Sequence, residues 1–161
     1  TVKDNEDIRN YIIGNGEEGL PQRLEEINKV LNGTPFTVSY RVMNELTIYL
    51  AVLLDQAKEK EEVRLDSFKG YVETAIDKIL LMKILPRVEG DDEMFHISDR
   101  ERNANELSDQ AEDGHEFTKL DWLKQIAPQH NEDNQNEYMA VDKLSEMIER
   151  LNRQSFTRFW P

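Results

Sequence analysis

The sequence predicts an all-α protein, a small helical bundle, on three observations. Apolar residues recur at spacings of three and four in five separate segments, and Pro or Gly falls in three of the four gaps between them. No run alternates apolar with polar residues over the length of a strand. At most, residues 8–13 suit a short edge strand.

The most apolar run, Phe36 to Leu54, organises the rest. Val42, Met43, Leu46, Tyr49, Leu50, Leu53 and Leu54 lie at helical spacing. Ile48, Ala51 and Val52 widen that stripe, so a helix over 39–60 is expected to be covered on most sides. Ser39 suits its N-cap. Its last turns run into QAKEKEEVR and are expected to project into water.

The other elements fall in order around it. Residues 1–18 form an N-terminal segment with one apolar patch, Tyr11, Ile12 and Ile13, followed by GNGEEG. Two glycines two apart invite a phosphate-loop reading. Glu17 and Glu18 would repel phosphate, however, and no Lys-Ser or Lys-Thr follows, so a plain turn is expected. Over 19–31, Leu20, Leu24, Ile27 and Leu31 share a helical face, Pro21 suits the first turn, and Asn32-Gly33 and Pro35 stop it. A third helix, capped by Asp66 or Ser67, presents Phe68, Val72, Ala75, Ile76 and Ile79, with Tyr71, Leu80 and Ile84 beside them, and ends at Pro86. Residues 19–90 thus read as a three-helix unit.

Residues 91–116 are rich in acids and poor in periodicity, as in an acidic linker or insertion, and a solvated, mobile connection is expected. Residues 117–161 carry C-terminal helices that pack back. One lies over 117–127 with Phe117, Leu120, Leu123 and Ile126 on a face. After the polar linker QHNEDNQNE, another runs from about Tyr138 to Gln154 with Val141, Leu144, Ile148 and Leu151. The closing SFTRFWP, with Phe156, Phe159 and Trp160, is too apolar to stand free and is expected to dock on this domain or on a partner.

Composition bounds the function. A length of 161 residues fits one domain, or one domain with a loosely attached tail. With 33 acids against 20 bases the formal net charge is −13, a surface that repels phosphate backbones, so direct nucleic-acid binding is not expected and a basic-faced partner is easier to accommodate. The chain has no cysteine, which excludes disulfides and thiolate metal sites and fits a reducing compartment. No run suits a membrane span, and TVKDNEDIRN lacks the order of a signal peptide, so the expected location is the cytoplasm. The first residue is Thr, as in a fragment or a processed chain.

Catalytic signatures are missing: there is no cysteine nucleophile, no G-x-S-x-G, no H-E-x-x-H and no P-loop. His96, His115 and His130 lie far apart in polar segments and are expected to be solvated. With no D-x-D-x-D-G-x5-E loop among the acids, no metal site is expected. Arg41 is different. A cation in a helix's first turn opposes the dipole unless an anion arrives there, and a guanidinium matches phosphate oxygens. A pairing with Glu45 or exposure to water is the plain alternative.

The succession GLPQRLEEINKVL, FTVSYRVMNELTIYL, AIDKILLMKILPRVEG and SFTRFWP resembles the C-terminal part of McrB-type AAA+ NTPases, the motor subunits of modification-dependent restriction systems. The resemblance covers roughly residues 19–90 and 138–161; residues 91–137 have no counterpart. It implies a helical lid with a similar R-V-x-N-E segment, a K-I-L-P-K/R-x-x-G run and a terminal segment rich in Phe and Trp. Arg41 matches the sensor-2 position, which reaches the terminal phosphates of nucleotide held by the core. Lys83 and Arg87 match basic positions of the family's run, where contact with a neighbouring subunit stands against simple snorkelling to water. The P-loop, the Mg²⁺-binding acids and the arginine finger are not matched. The implied cofactors, GTP or ATP with Mg²⁺, therefore require an AAA+ core, and the chain is not catalytic alone. The implied partners are that core, neighbouring subunits and a nuclease subunit. The alternative is a freestanding acidic helical interaction module anchored by Phe156, Phe159 and Trp160.

Overall fold

A computed structural model of the chain describes residues 2–15, 19–60, 64–130 and 137–161. In order it contains α1 (Val2–Ile13), α2 (Leu20–Leu31), α3 (Tyr40–Lys60), α4 (Leu65–Ile79), a π turn (Leu80–Ile84), a 3-10 turn (Leu85–Arg87) and β1 (Glu89–Asp91). Then come α5 (Asp92–Phe95), α6 (Asp99–Ala104), α7 (Lys119–Ile126), α8 (Met139–Gln154) and β2 (Phe156–Arg158). The all-α expectation holds: the described residues are mostly helical, with one two-stranded sheet.

The centre of the bundle is α4. Phe68, Val72, Ala75 and Ile76 are each 1% exposed or less, and the helix meets α1, α3 and α8. Burying a side chain such as Phe68 is worth about 1.5–3 kcal/mol, so this stripe is a major source of cohesion. On the other side α7 packs between α2 and α8. Arg23 ties three of these helices: its Nη2 donates to both carboxylate oxygens of Glu73 on α4 at 2.9 and 2.8 Å, and its Nη1 to the Ile126 carbonyl of α7 at 2.7 Å. Lys119, buried in the first turn of α7, donates from Nζ to the Val30 and Asn32 carbonyls at 3.3 and 2.8 Å. An ammonium at those carbonyls serves the unpaired C-terminal end of α2.

Several expectations are corrected. Residues 8–13 are not strand but the last turns of α1. Ile8 is buried, and Tyr11 and Ile12 pack on the core, three and four residues on, which is helical spacing with too few apolar residues to stand out. The side of α3 is not covered on most sides: Leu46 and Leu50 are buried, but Ile48 is 64% and Val52 49% exposed, because α4 supplies its principal cover and spans only one face. The third helix starts at Leu65 after Arg64, so Asp66 sits in its first turn and Ser67 does not cap it. It does not run unbroken to Pro86. In the π turn the Leu85 N–H donates to the Leu80 carbonyl, five residues back, and the wider turn brings Leu80, Ile84 and Leu85 inward while Ile79 stays half-buried.

Residues 91–116 carry structure of their own. Asp91 caps α5 by accepting from the Met94 N–H at 3.0 Å, and Ser98 caps α6 by accepting from the Glu101 N–H at 3.2 Å. Phe95 and Ile97 are buried. Arg102, also buried, donates to the Ser108, Ile97 and Phe117 carbonyls and so gathers the whole segment onto one guanidinium. The acids remain on the surface, but the backbone between them is tied down. Strand does occur, but away from residues 8–13. Glu89, Gly90 and Asp91 pair antiparallel with Arg158, Thr157 and Phe156, a ladder too short to leave an alternating pattern. Gly90 is required there: a Cβ would lie 2.6 Å from Met94 Cβ. The Leu54 side chain, residues 16–18 of the expected turn, the side chains of 57–60, residues 61–63 and residues 131–136 of the second polar linker lie outside the described residues.

The last helix begins without a cap of its own, since Tyr138 makes no capping bond. Asp77 of α4 supplies one. Its carboxylate is buried and accepts from the Met139 N–H at 3.1 Å and the Ala140 N–H at 2.8 Å, across more than sixty residues of chain. Losing a capping carboxylate costs about 1–2 kcal/mol. Asp77→Ala is therefore expected to lower the melting temperature by roughly 2–8 °C for a chain of this size, and Asp77→Asn by less. A melting curve for Asp77→Ala that overlays the wild type would contradict the cap.

Candidate functional site

The best-placed candidate is the start of α3, and it is built from α2 outward. Asn28 clamps the approaching loop with two hydrogen bonds: its Nδ2 donates to the Val38 carbonyl at 3.2 Å and its Oδ1 accepts from the Val38 N–H at 2.6 Å. Phe36 and Val38 bury their side chains on the core. Thr34 closes the turn before them, donating to the Leu31 carbonyl at 2.6 Å and accepting from the Phe36 N–H at 3.2 Å. Ser39 then accepts from the Val42 N–H at 3.4 Å and caps the helix. The backbone entering α3 is held at each step.

Arg41 follows two residues after the cap. Its side chain is 88% exposed, and its Nε lies 3.6 Å from Glu45 Oε1, one turn on. The pairing foreseen as the plain alternative is therefore present, between groups that are both in water. Lys83 is exposed on the π turn. Arg87 is exposed too, but its Nη2 donates to the Pro35 carbonyl at 3.3 Å, which ties the end of the α4 extension to the loop that leads into α3. Arg87 thus touches the loop that leads to Arg41. Sequence reasoning missed Asn28 as the clamp, because a hydrogen bond to a loop ten residues away leaves no periodic trace.

The aromatic tail lies back on α8. Ser155 takes a left-handed conformation, φ 58°, and reverses the chain so that β2 reaches β1. Thr157 is fully buried, and Phe159 packs on the core beneath Lys143, whose Nζ is 4.6 Å from the ring centroid. Arg150 donates from Nη1 to the Arg158 and Trp160 carbonyls at 3.0 and 2.8 Å. Phe156 and Trp160 remain 45% and 58% exposed. Of the three tail aromatics, one is used to hold the tail and two face outward.

Two surface cavities accompany these features. One, of about 370 Å³, is lined by Asp113, Phe117, Asp121, Lys124 and Gln129 among others. The other, of about 400 Å³ between α1, α2 and α4, is lined by Tyr11, Gln22, Arg23, Glu26, Lys69 and Glu73. In the first, burial pushes the Asp121 carboxyl up, against hydrogen bonds from Thr118, while the His115 backbone N–H holds the Asp113 carboxyl down. Among the described residues no group of three or more acids and histidines could hold a metal ion, and no helix is long and apolar enough to cross a membrane.

Each histidine meets a carboxylate at the surface: His96 with Glu116 at 2.7 Å, His115 with Asp113 at 3.2 Å and His130 with Asp142 at 3.0 Å. The Asp142 hydrogen bond holds the His130 imidazole above its ordinary pKa of 6.5. The Tyr138 N–H donates to His130 Nδ1 at 3.4 Å, which favours the neutral ring, but it is the longer and weaker of the two bonds. Because the folded-state pKa is raised, the contribution of this contact to stability is fully present below the unfolded value and is lost as pH rises through the folded one. An NMR titration is expected to place His130 above 6.5 and to return it to the ordinary value in Asp142→Asn. Equal midpoints in the two proteins would contradict the pairing.

No curated protein and no solved structure matches the chain. The chain belongs to the family described as Domain of unknown function (DUF8727), whose profile matches residues 5–156.

Proposed function

We propose that this chain is the lid and C-terminal helical region of an McrB-like AAA+ NTPase in a DNA restriction system, acting in the cytoplasm. It couples the nucleotide state of a core to the assembly of neighbouring subunits and, through them, to a nuclease subunit. On this reading GTP or ATP with Mg²⁺ belongs to the core and not to this chain.

The observation that carries the reading is the state of Arg41: a guanidinium in the first turn of a long helix, 88% exposed, on a backbone fixed by Asn28 and Ser39. Its hold on Glu45 is weak competition. An exposed ion pair is worth about 0–1 kcal/mol, whereas a hydrogen bond to a charged group contributes about 1.5–3 kcal/mol. A phosphate brought to the start of α3 by a core therefore wins the arginine, and the positive end of the helix adds to the attraction. Loss of that phosphate on hydrolysis returns Arg41 to Glu45, and the lid is released. Further support comes from the two other stretches of the resemblance. The run ending KILPRVEG and the terminal SFTRFWP are far apart in the chain, yet Glu89–Asp91 and Phe156–Arg158 pair in one small sheet.

The second reading, an acidic helical interaction module, is favoured by the outward-facing Phe156 and Trp160. The two readings part at Arg41. In the protein that joins this chain to its NTP-binding core, Arg41→Ala is expected to lower NTP turnover by roughly tenfold or more with an unchanged circular-dichroism spectrum. Unchanged turnover in a folded mutant removes Arg41 from the mechanism and leaves the interaction module.

A further inference from the structure

The outer face of α3 carries a pattern that the core does not use and of which the nucleotide reading uses Arg41 alone. Leu46 and Leu50 face inward, while Arg41, Asn44, Ile48, Ala51 and Asp55 recur at spacings of 3-4-3-4 on the opposite side and are all exposed. Val52 flanks this stripe, and Ile48 and Val52 are 64% and 49% exposed. Apolar residues at the middle of a helix with opposite charges at the two ends form a face made for another helix.

We infer that α3 pairs antiparallel with α3 of a second copy of this chain, across a two-fold axis at Ile48. The charges select both occupant and direction. Arg41 and Asp55 lie seven residues either side of Ile48, each about 10 Å along the axis. An antiparallel pair centred there sets Arg41 of each copy opposite Asp55 of the other, twice, and sets Ile48 against its own image. A parallel pair would face Arg41 with Arg41 and Asp55 with Asp55. Ala51 is small enough to let the two helices approach closely, and antiparallel helix dipoles attract. Against the pairing stands the net charge of −13 on each copy. That repulsion acts over distances that salt screens beyond about 8 Å at physiological ionic strength, whereas the seam contacts are local. A single helix pair falls at the small end of specific interfaces, so the dimer is weak, with Kd on the order of 10–100 μM.

This inference stands independently of the nucleotide reading, and Arg41 serves one role at a time: in the pair it faces Asp55 and is withheld from phosphate. Sedimentation equilibrium of the chain from 5 to 500 μM (about two decades around that Kd) at physiological salt tests it. The expected result is a mass that rises with concentration towards twice the monomer, with Ile48→Asp monomeric throughout. Asp55→Arg alone is expected to weaken association about tenfold, and Arg41→Asp with Asp55→Arg to restore it. Ile48 is on the surface, so its substitution leaves the fold intact, and a circular-dichroism spectrum checks this. A wild-type monomer over the whole range, as when a different protein covers this face, overturns the proposal. So does a dimer that ignores Ile48→Asp, or a charge swap that fails to rescue. None of these outcomes bears on NTP turnover by Arg41→Ala, so the two readings fail separately.

Discussion

One buried carboxylate joins the two halves of this protein. Asp77 lies on the central helix α4 and receives the first free N–H groups of α8. Every helix start leaves unpaired donors, and α8 has no residue of its own to satisfy them. The need is met from another part of the chain, which fixes where α8 begins and against what it lies. With its start placed, the face of Ala140, Val141, Leu144, Met147, Ile148 and Leu151 is committed to the core. The cap thus specifies position, while burial of that face supplies most of the energy.

The consequences run through to the candidate site. The end of α8 sets the reversal at Ser155, the reversal delivers β2 to β1, and β1 continues directly from the turns that end α4. From those turns Arg87 reaches the Pro35 carbonyl, in the loop that Asn28 fixes before α3. Arg41 is therefore exposed at its tip and anchored at its base. On the proposed nucleotide reading, that combination lets the side chain leave Glu45 for a ligand delivered from outside while the helix behind it stays in place.

Much of this was legible in the sequence. The helices α2, α3, α7 and α8 follow from apolar spacing, with Asn32-Gly33 and Pro35 marking the end of α2 and Pro128 the end of α7, and Arg41 follows from its place after Ser39. What stayed hidden has a common physical cause. Asp77, Arg102, Asn28 and Lys119 all act on backbone groups distant in the chain, and such bonds impose no period. Residues 91–116 looked like a solvated connection because their order rests on one guanidinium and two caps rather than on an apolar stripe. The exposed side of α3 was misjudged for the opposite reason: an apolar run shows that cover is wanted and does not say whether this chain supplies it.

The most direct measurement is amide hydrogen exchange at Met139 and Ala140. Uncapped first-turn N–H groups exchange by local fraying, whereas groups held by a buried carboxylate exchange only when the surrounding structure opens. Ala140, and to a lesser degree Met139, are expected to exchange as slowly as the amides of the α4 core around Val72 and Ile76. Exchange at these two positions at the rate of a free helix end would contradict the cap, and would separate the C-terminal helix from the unit that positions Arg41.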